Sequence, residues 1–265
     1  MLRNVFLKSL WEQRFAALWW ALAIIALCVM VIAFYPSFKN SPGMTQFFQD
    51  APEWVKSLMG NVEDFTTPQG YLDGRLFSLM APILFLIFAI SRGSAAIAGE
   101  EQSGTLDLLL SNPVPRWRIL LEKAASMVVS TLAMGVVFWI GLALGAVMVG
   151  MNISYLRLAD VTFSCVLLGL VFGAIALAVG CAFGRRAPAI GIAAALGVGA
   201  FFLNSLVPLA EGLKGWSKLS PFYYYIEAKP LMNGLNWVHA SVLMAAAAFF
   251  IALSVFLFER RDITV

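Results

Sequence analysis

Long apolar runs alternate with short polar connections along the whole chain. Six runs, 15–34, 76–97, 124–151, 161–183, 187–209 and 237–258, are each long enough to cross a bilayer as a helix. Ahead of them, Leu2, Val5, Phe6, Ser9 and Leu10 share one helical face of residues 1–14, while Arg3, Lys8, Glu12 and Arg14 lie elsewhere. That pattern predicts a helix lying in the membrane interface, although a plain cationic flank of the first span reads the same way. The run 15–34 is too long for the apolar part of a secretory signal, and no small-x-small cleavage site ends it.

The connections differ in character. Residues 35–74 hold Pro36, Pro42, Pro52 and Pro68 and read as a long loop, in which Asp50 can cap a short helix carrying Trp54, Val55, Leu58 and Met59. Arg185-Arg186 predicts a tight turn, and Pro188 suits the first turn of the next helix. In the second long loop, 210–236, the run Leu219-Ser-Pro-Phe-Tyr-Tyr-Tyr-Ile226 fits an aromatic interfacial belt or a short re-entrant or surface helix. Pro82 predicts a kink in the second span. The pairs Gly141/Gly145, Gly169/Gly173 and Gly180/Gly184 would let helix backbones approach closely.

Composition agrees with this pattern. Hydrophobic residues make up 61% and charged residues 12%, too few charges to solvate a large aqueous domain. The expected fold class is therefore all-α: a single polytopic membrane domain, 1–265, with six spans, an N-terminal interfacial helix and a helical hairpin at 98–123. Cys28, Cys165 and Cys181 stand alone in apolar runs, so neither a disulfide framework nor a metal site is indicated. The lone His239 has no second ligand nearby and reads as an interfacial or buried side chain.

Charge then orients the chain. If both termini are cytoplasmic, the inner segments 1–14, 92–123, 184–187 and 259–265 carry Arg3, Lys8, Arg14, Arg92, Arg116, Arg118, Lys123, Arg185, Arg186, Arg260 and Arg261, eleven of the 18 basic residues. This bias places residues 98–123 in the cytoplasm. The net charge of +3 reflects topology and carries no signal for nucleic acid.

Segment 98–123 concentrates the chain's helix punctuation. Glu100 and Glu101 precede Ser103-Gly104-Thr105, where a helix can start with Leu106, Leu109 and Leu110 on one face and Asp107 pointing away. Asn112-Pro113 stops that helix, and Pro115 restarts one at Arg116 that runs into the third span. On these residues alone, docking to a soluble partner and lying on lipid through Arg116, Trp117 and Arg118 are equally open.

The sequence Glu-Glu-Gln-Ser-Gly-Thr-Leu-Asp-Leu-Leu-Leu-Ser-Asn-Pro-Val-Pro-Arg-Trp, followed by Ile-Leu-Leu-Glu-Lys, resembles the cytoplasmic coupling segment of type-2 ABC export permeases. The resemblance extends to drug-export permeases and to those of nitrous-oxide-reductase maturation. Leu-Ser-Pro-Phe-Tyr-Tyr before the last span and the terminal Arg-Arg-Asp fit the same pattern. Glu122 departs from the glycine that many relatives carry, with no change of mechanism expected. The resemblance implies a homodimer with two cytoplasmic ATPase subunits. Its coupling residues would be Glu100, Glu101, Gly104, Thr105, Leu106, Asp107, Leu109, Leu110, Arg116 and Arg118. The acids would pair with the ATPase or cap the helix, Gly104 would permit close approach or a sharp helix start, and the leucines would fill an apolar cleft. The arginines would meet acidic groups or lipid phosphates. No Gly-x-x-x-x-Gly-Lys-Ser/Thr occurs, so ATP and magnesium belong to the partner and this chain is expected to be non-catalytic and to bind no cofactor.

The spans hold no acid or base near their middles, which argues against ion-coupled secondary transport. By family analogy the substrate path runs between the second and fifth spans. Phe77, Ser78, Met80, Phe85 and Phe88 in one, and Phe201, Phe202, Asn204 and Ser205 in the other, suit an apolar or amphipathic substrate moved outward. Alternatives are a membrane scaffold that transports nothing, or an ATP-independent scramblase or carrier. Membrane lipid is the remaining expected partner.

Overall fold

In the computed structural model, residues 5–39, 67–106, 109, 114–206 and 214–261 are described, and among them there is no strand. The chain runs as α1 (Val5–Glu12), α2 (Arg14–Lys39), α3 (Pro68–Leu72), a π-helical turn (Asp73–Phe77), α4 (Met80–Ala96), α5 (Ala98–Gln102), α6 (Arg116–Val149), α7 (Tyr155–Phe183) and α8 (Arg186–Leu206). A 3₁₀ turn (Lys214–Leu219), α9 (Pro221–Ile226), α10 (Pro230–Asn233) and α11 (Trp237–Arg260) follow. Six segments are long and apolar enough to cross a membrane: Arg14–Ser37, Pro68–Ala96, Arg116–Val149, Tyr155–Phe183, Arg186–Leu206 and Trp237–Arg260.

The bundle is built around α7. In its most apolar stretch 83% of residues are buried, against 22–28% in α2, α6, α8 and α11. Protein therefore surrounds α7 on all sides, while the others turn most of their surface outward. Helices α4, α11, α8 and α6 pack on α7, and α2 lies outside against α6. The α4–α7 contact depends on the glycines: a Cβ built on Gly93 would overlap the Gly173 carbonyl oxygen, and one on Gly169 would meet Phe85 O at 2.9 Å. Gly141 and Gly145 similarly admit Cys28 and Ile32 of α2. The expected small-residue pairs at 141/145 and 169/173 are thus helix contacts.

Several expected boundaries move. Helix α2 runs through Pro36 to Lys39, since a proline near a helix end removes only one backbone bond. The second span starts at Pro68 rather than residue 76. Thr67 caps it by accepting from Gly70 N, and the Tyr71 hydroxyl donates to Val31 O at 2.7 Å. The break attributed to Pro82 falls at Leu79 (φ −142), just ahead of that proline. Leu156, Arg157 and Asp160, expected in a connection, belong to the first turns of α7. The Asp50 helix, Asn112-Pro113 and residues 207–213 lie outside the described residues.

The second long connection turns into the bundle. Ser220 caps α9 through its side chain, which also donates to Ala200 O at 2.7 Å. Phe222 and Tyr225 are buried, and the Tyr225 hydroxyl donates to Phe77 O at 2.6 Å while Cys165 Sγ donates to that hydroxyl. Of the readings open for this run, the re-entrant one describes these two side chains. His239 is half-buried, packed on Tyr223 and Tyr224 with ring centroids 5.9 and 5.4 Å away.

Candidate functional site

Helix α6 has 34 residues and so extends about 50 Å, well beyond the roughly 30 Å of a hydrocarbon core. Its first turns stand off the span and carry Arg116, Arg118, Glu122 and Lys123. The elbow from α5 to Leu109 packs against this projecting base. Its face of the bundle also carries α1, the α7–α8 turn and the end of α11, so Val5 and Arg261 lie on the same side.

The elbow starts where the α4 backbone bends at Ile97 (φ −116). Helix α5 is followed by a turn at Gly104 (φ 68), a left-handed conformation that suits glycine. Thr105 closes the turn, its backbone N–H donating to Glu100 O at 2.9 Å. Leu106 and Leu109 follow in helical conformation, with Leu109 N donating to Thr105 O.

Two ion pairs hold the elbow down. Lys123 Nζ donates to Glu100 Oε1, and Thr105 Oγ1 donates to Glu100 Oε2. Burial works to raise the Glu100 carboxyl. The hydrogen bonds from Lys123 and Thr105 and the charges of Lys123 and Lys8 outweigh it, leaving the group below its ordinary value. Glu101 takes both guanidinium nitrogens of Arg261, one of them at 2.9 Å. Arg261 also donates to Cys181 O at 3.2 Å and accepts on its own carbonyl from Arg116 Nη1 at 3.1 Å. Gly184 (φ 65) makes the junction possible, because any Cβ there would occupy the space of the Arg261 guanidinium and the Glu101 carboxylate.

The expected coupling residues therefore divide. Glu100, Glu101 and Thr105 bond within the chain. Leu106 is 2% and Leu109 7% exposed. Leu106 packs with Ile97, Leu120, Leu177, Cys181 and Phe258, so the side chain expected to fill a partner's cleft faces its own bundle. Apolar surface at the end of α11 and the base of α6 is nearer than any partner and takes it first. Arg116 is committed to Arg261, and exposed Arg118 pairs with Glu122 at 3.1 Å. Asp107 and Leu110 lie outside the described residues. Gln102, Ser103 and Gly104 are exposed and form the tip. Sequence reasoning missed Lys123, Arg261 and Gly184 as partners, although the Glu-Lys and Arg-Arg-Asp motifs contained two of them. Glu122 also has a structural use, accepting from Phe6 N at 3.2 Å and so tying α1 to α6.

The expected path residues divide as well. Phe77, Phe85 and Phe88 are enclosed, packed edge-on against Phe138, Phe138 and Trp20 at 5.9, 5.5 and 5.5 Å. They lie in the interior of the bundle. Ser205 is buried, Ser78 bonds to Gly74 O, and Phe201 packs on Phe222. Met80 and Phe202 are exposed, and Asn204 is half-exposed.

These features define a six-span helical membrane protein with an elbow locked to the ends of its spans on the face that carries Val5 and Arg261. A family model described as "ABC-2 family transporter protein" matches residues 4–263, and the chain belongs to that family. It is thus a transmembrane subunit of an ABC transporter, in a family of generally non-catalytic transport subunits, and membership implies association with an ABC ATPase. Comparison with curated proteins gave no match.

Proposed function

We propose that this subunit exports an apolar or amphipathic substrate, driven by cytoplasmic ATPases that dock on the exposed tip of the elbow, with the functional unit a homodimer bound to two ATPase subunits. The supporting observation is the junction itself. Glu100 and Glu101 join the elbow to α6 and α11, and Arg261 continues the connection to the end of α7. A force applied at Gln102–Gly104 is passed to three spans by short charged contacts, not absorbed by a floppy loop. The two acids act in this reading as struts, and contact with the ATPase falls to Gln102, Ser103, Gly104 and Arg118. Outward passage runs along the exposed strips of α4 and α8 at Met80 and Phe202, where two copies can face each other. Hydrolysis and its ATP and magnesium belong to the ATPase. Docking on this face requires it to be cytoplasmic, as the basic residues also favour.

Cross-linking tests the reading. Cys28, Cys165 and Cys181 are buried, so a thiol placed at Ser103 is the accessible one. Full-length Ser103→Cys purified from its own cells with a thiol cross-linker is expected to capture an ABC ATPase. Trp237→Cys, on the opposite face, is expected to capture none. Equal capture from both positions, or an elbow variant that captures no ATPase while transport continues, refutes docking at the tip.

A further inference from the structure

Arg92, near the end of α4, and Arg186, the first residue of α8, are left over when the junction above has taken its charges. Arg186 Nη2 reaches Ser91 Oγ at 3.4 Å, beside Arg92 in the chain, and the Arg186 charge acts on Arg92. Neither guanidinium has a carboxylate partner among the described residues. Arg92 lies over the Phe88 ring at 5.0 Å, and its Nη2 is enclosed without an acceptor. A guanidinium cannot shed its proton to escape that position. Two like charges acting on each other at the end of a span, with no counter-charge among the described residues, favour an anion from outside.

The surface beside them indicates which anion. Ile87 (52% exposed) and Ile83 (43%) continue from Ser91 along one edge of α4, and Ile190 (38%) lies one turn beyond Arg186 on α8. At 1.5 Å per residue, Ile87 and Ile83 sit about 6 and 12 Å deeper than Ser91. Charge at the rim above an apolar strip matches a phosphate head group with an acyl chain below it. We infer that Arg92, Ser91 and Arg186 form the head-group seat for an anionic phospholipid of the bilayer, whose chain lies along Ile87 and Ile83. The inference needs only the membrane placement of the chain and is independent of the export reading.

The full-length protein in detergent is titrated with phosphatidylglycerol, phosphatidylcholine and inorganic phosphate, following the thermal unfolding midpoint. Phosphatidylglycerol is expected to raise the midpoint at concentrations where the other two do nothing. Arg186→Gln and Arg92→Gln are each expected to weaken that response about five-fold, Arg92→Lys to restore part of it, and Lys218→Gln, in the 3₁₀ turn, to leave it unchanged. Arg186 is exposed, so its variant carries the comparison if Arg92→Gln does not fold. Inorganic phosphate acting as well as the lipid would make this a free-anion site and overturn the inference. So would equal responses to both lipids, or an unchanged response in Arg186→Gln.

Discussion

Replacing Lys123 by methionine leaves the Glu100 carboxylate enclosed, with the Thr105 hydroxyl as its one remaining hydrogen-bond donor and only the charge of Lys8 acting on it. The side chains of Lys123 and Glu100 are 7% and 13% exposed, so the pair behaves as a buried one. Removing one member of a buried pair costs about 3–5 kcal/mol, because the survivor remains desolvated without its counter-charge. At 1.4 kcal/mol per factor of ten, that is a loss of at least about a hundred-fold in the folded-to-unfolded ratio. The Glu100→Gln/Lys123→Met double variant removes both charges and is expected to recover most of the loss. Arg118→Met serves as control: its pair with Glu122 is 60% and 19% exposed, worth about 0.3–0.5 kcal/mol as an i,i+4 helix pair. Denaturant titration of the full-length protein in mixed micelles reads all three. A Lys123→Met penalty no larger than that of Arg118→Met, or a double variant as unstable as the single, refutes the strut.

The same pair sets the direction of a pH effect. The folded Glu100 carboxyl titrates below its unfolded value. Its stabilisation is therefore complete above the unfolded value and is lost as pH falls through the folded one. The gap between wild type and Lys123→Met should narrow on acidification, since protonation relieves the stranded carboxylate. A gap that widens in acid contradicts this assignment.

Two other sites give independent tests. Gly93→Val pushes a side chain into the Gly173 backbone, where neither helix has a flexible neighbour to move. It is expected to cost at least the roughly 1–3 kcal/mol of ordinary overpacking and to loosen α4 from α7, read by denaturant titration and by protease susceptibility. Tyr225→Phe removes the donor to Phe77 O and the acceptor for Cys165. It is expected to cost about 1–3 kcal/mol, the range for leaving a buried polar group unsatisfied, and to raise proteolysis near the re-entrant turn; wild-type stability in that variant would mean the turn is held by packing of Phe222 alone.

The spans were legible because each is an uninterrupted apolar run, and in a bilayer such a run has only the helix available to satisfy its backbone. Their ends were less so. Pro36 and Pro68 read as loop punctuation, yet Pro36 sits near the C-terminal end of α2 at the loss of one backbone bond, and Pro68 opens α3, where the N–H would have no helical partner anyway. The π-helical turn at Asp73–Phe77 carried no sequence signal of its own. Parts of the elbow follow local chemistry: the chain turns at Gly104, and a helix restarts at Arg116 after Pro115.

Which way the elbow's side chains turn is a tertiary question, and there local pattern had nothing to offer. Leu106 and Leu109 make as good a partner-binding face as they do a buried one, since the spacing is identical in both cases. The choice is made by Phe258 and Leu177, which are far away in sequence and present apolar surface at the right height. Glu101 is decided in the same way by Arg261, 160 residues on, and only because Gly184 leaves the space open. A polar segment projecting from a membrane domain therefore need not spend its charges on a partner. Here Glu100 and Glu101 fix the elbow to three spans, and the exposed positions among its described residues are the uncharged Gln102–Gly104. In the proposed docking mode, the interface with the ATPase is then governed by the shape and angle of those exposed residues. Neutralising Glu101 should then act by loosening the angle, with little direct loss of contact.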